Sequence, residues 1–169
     1  MDALTILFII SMVVFIIGSF FVLWGRNKKA DKKPSTENNS SLSHQMQLQA
    51  YERLTLLVDR IALPNLISRL NKSGLTAKEM QLLLIQTIKQ EFDYNITQQI
   101  YVSAAAWNAV KNLKDQTMLV INQFASTLPQ DATSADLNKL LLEYLMNDTK
   151  GNLHELVSEA ISYEARKLL

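Results

Sequence analysis

His154 and Ser158 stand four residues apart, so on a helix they share one face, with Glu155 and Glu159 beside them. That spacing could set a general base next to a nucleophile, the pairing behind many hydrolases. Such a pair also needs an acid to orient the base and amide donors for an oxyanion. Nothing around "NLHELVSEAIS" (152–162) suggests either, and the glutamates read first as a solvated helix face. The second histidine, His44, falls at the start of another helical pattern, and neither begins a His-Glu-x-x-His zinc motif or completes a Glu-x-x-His di-iron motif. The chain has no Cys, which removes thiol nucleophiles and thiolate metal sites and agrees with a reducing compartment. Beyond Gly25 the only glycines are Gly74 and Gly151, too sparse to cradle a phosphate. The expectation is a chain with no catalytic, cofactor-binding or metal-ligating residue, hence not an enzyme, with no small-molecule substrate.

Recognition is the chemistry that remains. In "DYNITQQIYVS" (93–103), Ile100–Val102 has strand character without a partner strand, so an extended connector is predicted. Two readings follow. Ile100 and Val102 could plug the core; alternatively Gln98, Gln99 and Tyr101 present an edge onto which a partner's strand or peptide adds, with Tyr101 and Trp107 as anchors.

The elements that must position these residues are helical. Leu48, Tyr51, Leu54, Leu57, Val58 and Ile61 recur at the spacing of one buried face over residues 44–62, which either joins the bundle or projects from it. Pro64 opens a short second helix that stops near Gly74. "TAKE" (76–79) is a capping box for a third, whose Leu82, Leu83, Leu84, Ile85, Ile88 and Phe92 spread over more than one face and mark it as the central, most enclosed helix. Ser103 caps a fourth, with Ala106, Val110, Leu113, Thr117, Val120 and Phe124 along its stripe, widened by Trp107 and Ile121, and Pro129 beyond its end. Thr133 or Ser134 opens a fifth carrying Leu137, Leu140, Leu141, Tyr144 and Leu145; Gly151 closes it, and "NLHE" (152–155) caps a sixth with Leu153, Leu156, Val157, Ala160, Ile161 and Leu168. The predicted fold is all-α, with a bundle of five to six helices over residues 43–169.

The N-terminal part is of another kind. No charge occurs from Ala3 to Gly25, and Leu4–Trp24 would make a helix roughly 32 Å long, enough to cross a hydrocarbon core of about 30 Å. The acidic start "MDALT" and the ending "VLWGR" do not fit a cleaved leader, so residues 1–25 read as a transmembrane anchor. Trp24 suits the headgroup level, and Arg26, Lys28, Lys29, Lys32 and Lys33 crowd the C-terminal flank, while no Lys or Arg precedes the span. Cationic flanks stay cytoplasmic and attract anionic lipid, so the N-terminus is expected outside and the remainder inside. Residues 26–42 are too polar to fold and read as a flexible tether with a reach of roughly 20–24 Å. From residue 34 onward there are 12 Lys and Arg against 14 Asp and Glu, a net charge of −2, which argues against nucleic acid.

Two stretches, "LQAYERLTLLVDRIALPNLISRL" and "LLLIQTIKQEFDYNITQQIYVSAAAWNAVK", resemble an uncharacterised family of small membrane-anchored proteins from the Bacteroidetes, with Asp59 and Asp93 where that family's pattern has Glu. The resemblance implies a membrane-tethered helical domain at a bacterial inner membrane and supplies no activity. The reading as a whole is a single-pass, membrane-tethered, non-enzymatic interaction or scaffold module facing the cytoplasm, its partners the lipid bilayer and one or more proteins. The alternative is an accessory subunit of an integral membrane complex, whose span packs against other helices.

Overall fold

A computed structural model of the chain describes residues 36–147 and 153–169. Six α-helices and one short 3-10 helix make up this part, and no strand occurs among the described residues. They are α1 (Thr36–Ile61), α2 (Leu63–Leu70), α3 (Ala77–Tyr94), the 3-10 helix (Ile96–Ile100), α4 (Ala104–Thr127), α5 (Ser134–Asn147) and α6 (Leu153–Arg166). The predicted anchor, Trp24 with the basic cluster from Arg26 to Lys33, and the closing Gly151 and capping Asn152 lie outside the described residues. Among the described residues no helix is long and apolar enough to cross a membrane.

α1 is one-sided where it meets the bundle. Ala50, Tyr51, Leu54, Leu57, Val58 and Ile61 are buried, whereas Leu42–Met46 is exposed and Leu48 half-buried. The helix thus both joins the bundle and projects from it. It starts at Thr36, inside the stretch expected to be a coil. A helix already fixed by its buried half gains one hydrogen bond for each further residue ordered, and no Pro or Gly interrupts the sequence until Pro34.

α3 and α4 form an antiparallel hairpin. Gln81 Nε2 donates to Asn122 Oδ1 (2.7 Å) near one end, and Phe92 packs on Trp107 near the other (centroids 5.0 Å apart). The buried set on α3 is Ala77, Met80, Leu84, Ile88 and Phe92, a single stripe at i, i+3 and i, i+4 spacing, so the helix is less enclosed than predicted. Leu83 and Ile85 are half-buried, and Leu82 faces solvent. On α4 the buried line is Ala106, Val110, Leu113, Thr117 and Ile121. On α6 it is Val157 and Ile161, with the predicted core positions Leu156 and Ala160 left exposed.

The end of the bundle away from the 3-10 helix, the base, is closed through backbone. Ala77 N–H donates to Ala132 O and Ser134 N–H to Leu75 O, both at 2.9 Å, which ties the starts of α3 and α5 together. Each start carries a reciprocal cap. Thr76 Oγ1 accepts from Glu79 N–H (3.2 Å) while Thr76 N–H donates to Glu79 Oε2 (2.8 Å). Thr133 and Asp136 repeat the arrangement at 3.4 and 2.9 Å. Gly74, in the loop leading into α3, has φ +86°, a conformation open to glycine at little cost.

Candidate interaction surface

The opposite end, the apex, is where α1, the 3-10 helix, the start of α4 and the end of α6 meet. A side-chain knot holds it. Ser103 caps α4 by accepting from Ala106 N–H (3.0 Å), and its hydroxyl donates to Glu164 Oε2 (2.5 Å). Tyr51 donates to the same carboxylate oxygen (2.7 Å) and accepts from Ser103 N–H (3.1 Å). One carboxylate on α6 therefore joins α1 to the N-terminus of α4, where the helix dipole favours negative charge. Burial, reinforced by the neighbouring Glu164 carboxylate and opposed by the Ser103 amide, pushes the Tyr51 phenol above its ordinary value.

The chain between α3 and α4 is held as firmly. Asn95 is buried, with its side-chain amide donating to Glu91 O (2.8 Å) and its backbone N–H to Phe92 O (3.0 Å). Beneath it Phe92 lies against Trp107, with Lys114 Nζ 4.6 Å from the Phe92 ring centre. Glu91 receives Arg60 at 3.1 Å and Arg69 at 3.6 Å, from the ends of α1 and α2.

This geometry corrects the predicted extended connector. With no strand to pair, the backbone turns on itself: Gln98 N–H donates to Asn95 O and Tyr101 N–H to Gln98 O, each at 3.0 Å. Nor is Ile100 a core plug. It is 72% exposed, with Tyr94 at 74%, Ile96 at 44% and Tyr101 at 37%, while Val102 is half-buried against the core. Of the predicted partner-surface residues, Gln99 and Tyr101 are exposed and Gln98 is half-buried. Trp107, half-buried on Phe92, belongs to the support. Reasoning from the sequence missed Tyr94, Ile96 and Ile100 as surface residues. A signal was there to be read: no Asp, Glu, Lys or Arg occurs from Tyr94 to Val110.

A second concavity, an open groove of about 880 Å³, runs between α1 and α6 and is lined by Thr55, Asp59, His154, Ser158, Glu159 and Tyr163 among others. The described residues show no hydrogen bond between His154 and Ser158, and Asp59 Oδ1 accepts from Asn65 (2.8 Å) on the following helix. No three acidic or imidazole side chains among the described residues converge as a metal site would need.

A family model for proteins of unknown function, DUF7935, matches residues 1–168. The chain belongs to that family. Neither the curated proteins nor the solved structures include a match to it. The two segments that carried the family resemblance in the sequence are the two that the apex joins. Tyr51 of "YERL" bonds to Ser103 of "YVS", and Arg60 and Arg69 of the first segment pair with Glu91 of the second.

Proposed function

We propose that this protein acts by contact rather than by catalysis, as a helical module tethered to the cytoplasmic face of a bacterial inner membrane. Its contact surface is the apex. The observation that carries this reading is a firmly anchored, charge-free turn whose apolar side chains Tyr94, Ile96, Ile100 and Tyr101 take no part in the core. A turn that served only to connect α3 to α4 would gain solubility from charge at these positions. The tether is the apolar run Leu4–Trp24 with its one-sided basic flank.

Fusions to the full chain test the tether and its direction. A reporter active only outside the inner membrane, placed after Leu169, is expected to stay silent, and one active only in the cytoplasm to respond. A strong periplasmic signal, or extraction of the protein from membranes by alkaline carbonate, would refute the reading.

A further inference from the structure

α6 rests on the bundle by a narrow stripe, since Val157 and Ile161 are its buried residues. Leu156 and Tyr163, seven residues apart and therefore on one flank of the helix, are each 63% exposed. Leu56 on α1 is exposed to the same degree. Leu56 and Tyr163 both line the groove of about 880 Å³ between the two helices. Its walls thus leave large apolar side chains in water.

The charge on the same lining is one-sided. Asp59 on α1 and Glu155 and Glu159 on α6 are exposed there, and among the described residues none of the three makes an ion pair. Glu155 also suits the dipole at the start of its helix. Asp59 does not, because it stands in the last turn of α1, where the dipole disfavours an anion. The guanidinium on the lining is Arg166, in the last turn of α6, and the neighbouring Lys167 lies over the Tyr163 ring, 4.1 Å from its centre. Negative charge therefore accompanies the first two turns of α6 and positive charge its last.

We infer that this groove is a docking site for a cationic amphipathic helix of a partner protein. Both walls are helices whose backbone groups bond within themselves, so no strand can add to either through main-chain hydrogen bonds. Recognition falls to side chains, and an incoming helix brings its own backbone already satisfied. Its apolar stripe covers Leu56, Tyr163 and the adjoining flank at Leu156. Its Lys or Arg residues meet Asp59, Glu155 and Glu159, and its end without cations lies at Arg166. The 14 residues of α6 extend about 21 Å, which sets the length of the occupant at about four turns. The same carboxylates repel a nucleic acid or an anionic lipid surface. This surface is separate from the apex and depends on neither the apex nor the tether.

The probe is a synthetic helix of alanine and lysine with one leucine stripe, about four turns long and labelled with fluorescein. It is titrated with full-length chain in phosphatidylcholine nanodiscs, with protein-free discs as the blank. Anisotropy above the blank is expected for this peptide and not for its glutamate counterpart, and it should weaken as salt rises. Glu155→Lys together with Glu159→Lys should lower the affinity about tenfold or more, and Leu56→Ser several-fold. Asp131→Lys, an exposed carboxylate at the base, should change it by less than about twofold. A benzophenone in the leucine stripe reads the wild-type chain without any substitution, and its crosslinks are expected on α1 and α6. No binding above the blank, an affinity indifferent to the glutamate pair, an equal loss from Asp131→Lys, or crosslinks elsewhere overturns the inference. So does a gain in affinity when Arg26, Lys28, Lys29, Lys32 and Lys33 are all changed to Gln, the result of the chain's own basic segment, or that of a second copy, filling the groove.

Discussion

The base and the apex close the same bundle by different means. At the base, two helix starts exchange backbone hydrogen bonds, and each start is sealed by a threonine and a carboxylate within four residues of one another. At the apex, three side chains far apart in sequence do the joining, through a single carboxylate oxygen. The outer surfaces differ too: Lys72, Lys78, Glu79, Asp131 and Asp136 are exposed at the base, whereas the turn at the apex shows water two tyrosines and two isoleucines, with charge only beside it at Asp93, Arg166 and Lys167. An end closed by backbone and faced with charge is complete in water. The apex instead is closed by side chains and leaves apolar groups in water.

The largest effect expected from testing this contrast is at the knot. Tyr51→Phe removes the shared hydroxyl, leaving Ser103 N–H without its acceptor and Glu164 with one donor fewer. It should cost about 1–3 kcal/mol in denaturant unfolding. The same variant should also alter the alkaline limb of the stability curve. Tyr51 keeps its proton in the folded protein where the unfolded chain starts to lose it, near the ordinary value of 10.0, so wild-type stability falls as pH rises above that value until the folded phenol ionises too. In the Phe variant this part of the decline should disappear.

A smaller change is expected at the base. Thr76→Ala and Thr133→Ala should each cost about 1 kcal/mol, the usual loss for a helix cap, and should add nearly independently because backbone bonds still hold the joint. Their pH response is opposite to that of the knot. Bonds from the Thr76 amide and then its hydroxyl hold Glu79 below its ordinary 4.5, and bonds from the Thr133 hydroxyl and then its amide hold Asp136 below 3.8. The stabilisation is therefore present above these values and lost as pH falls through the lowered ones. Acid melts of the two alanine variants should converge on that of the wild type.

Ile100→Ser should change least, moving the unfolding midpoint by no more than about 0.5 kcal/mol, since its side chain is largely in water. A larger loss would mean that the apex is part of the core and would erase its difference from the base.

Much of the bundle could be read from local pattern. The Thr76 box and the Ser103 cap are where the sequence placed them, because a cap is settled within four residues. The buried face of α1 follows its 3.6-residue period. Periodicity says which face is buried, not what lies against it, and here sequence reasoning stopped. The partners in the knot stand 52, 61 and 113 residues apart, and no local rule pairs them. Ile100–Val102 shows the converse failure: β propensity was present, but a strand forms only where another strand can pair with it. Leu82 and Leu156 were assigned to the core by type, although single leucines on a helix exterior are ordinary.

The continuous helix from Thr36 to Ile61 also has a mechanical meaning. A pull on the N-terminal side of the chain reaches the bundle through α1, and Tyr51, Leu54, Leu57, Val58 and Ile61, buried on its packed half, are the side chains that resist it. Force applied there loads the core rather than a surface loop, so resistance to it is set by the rate at which the core opens.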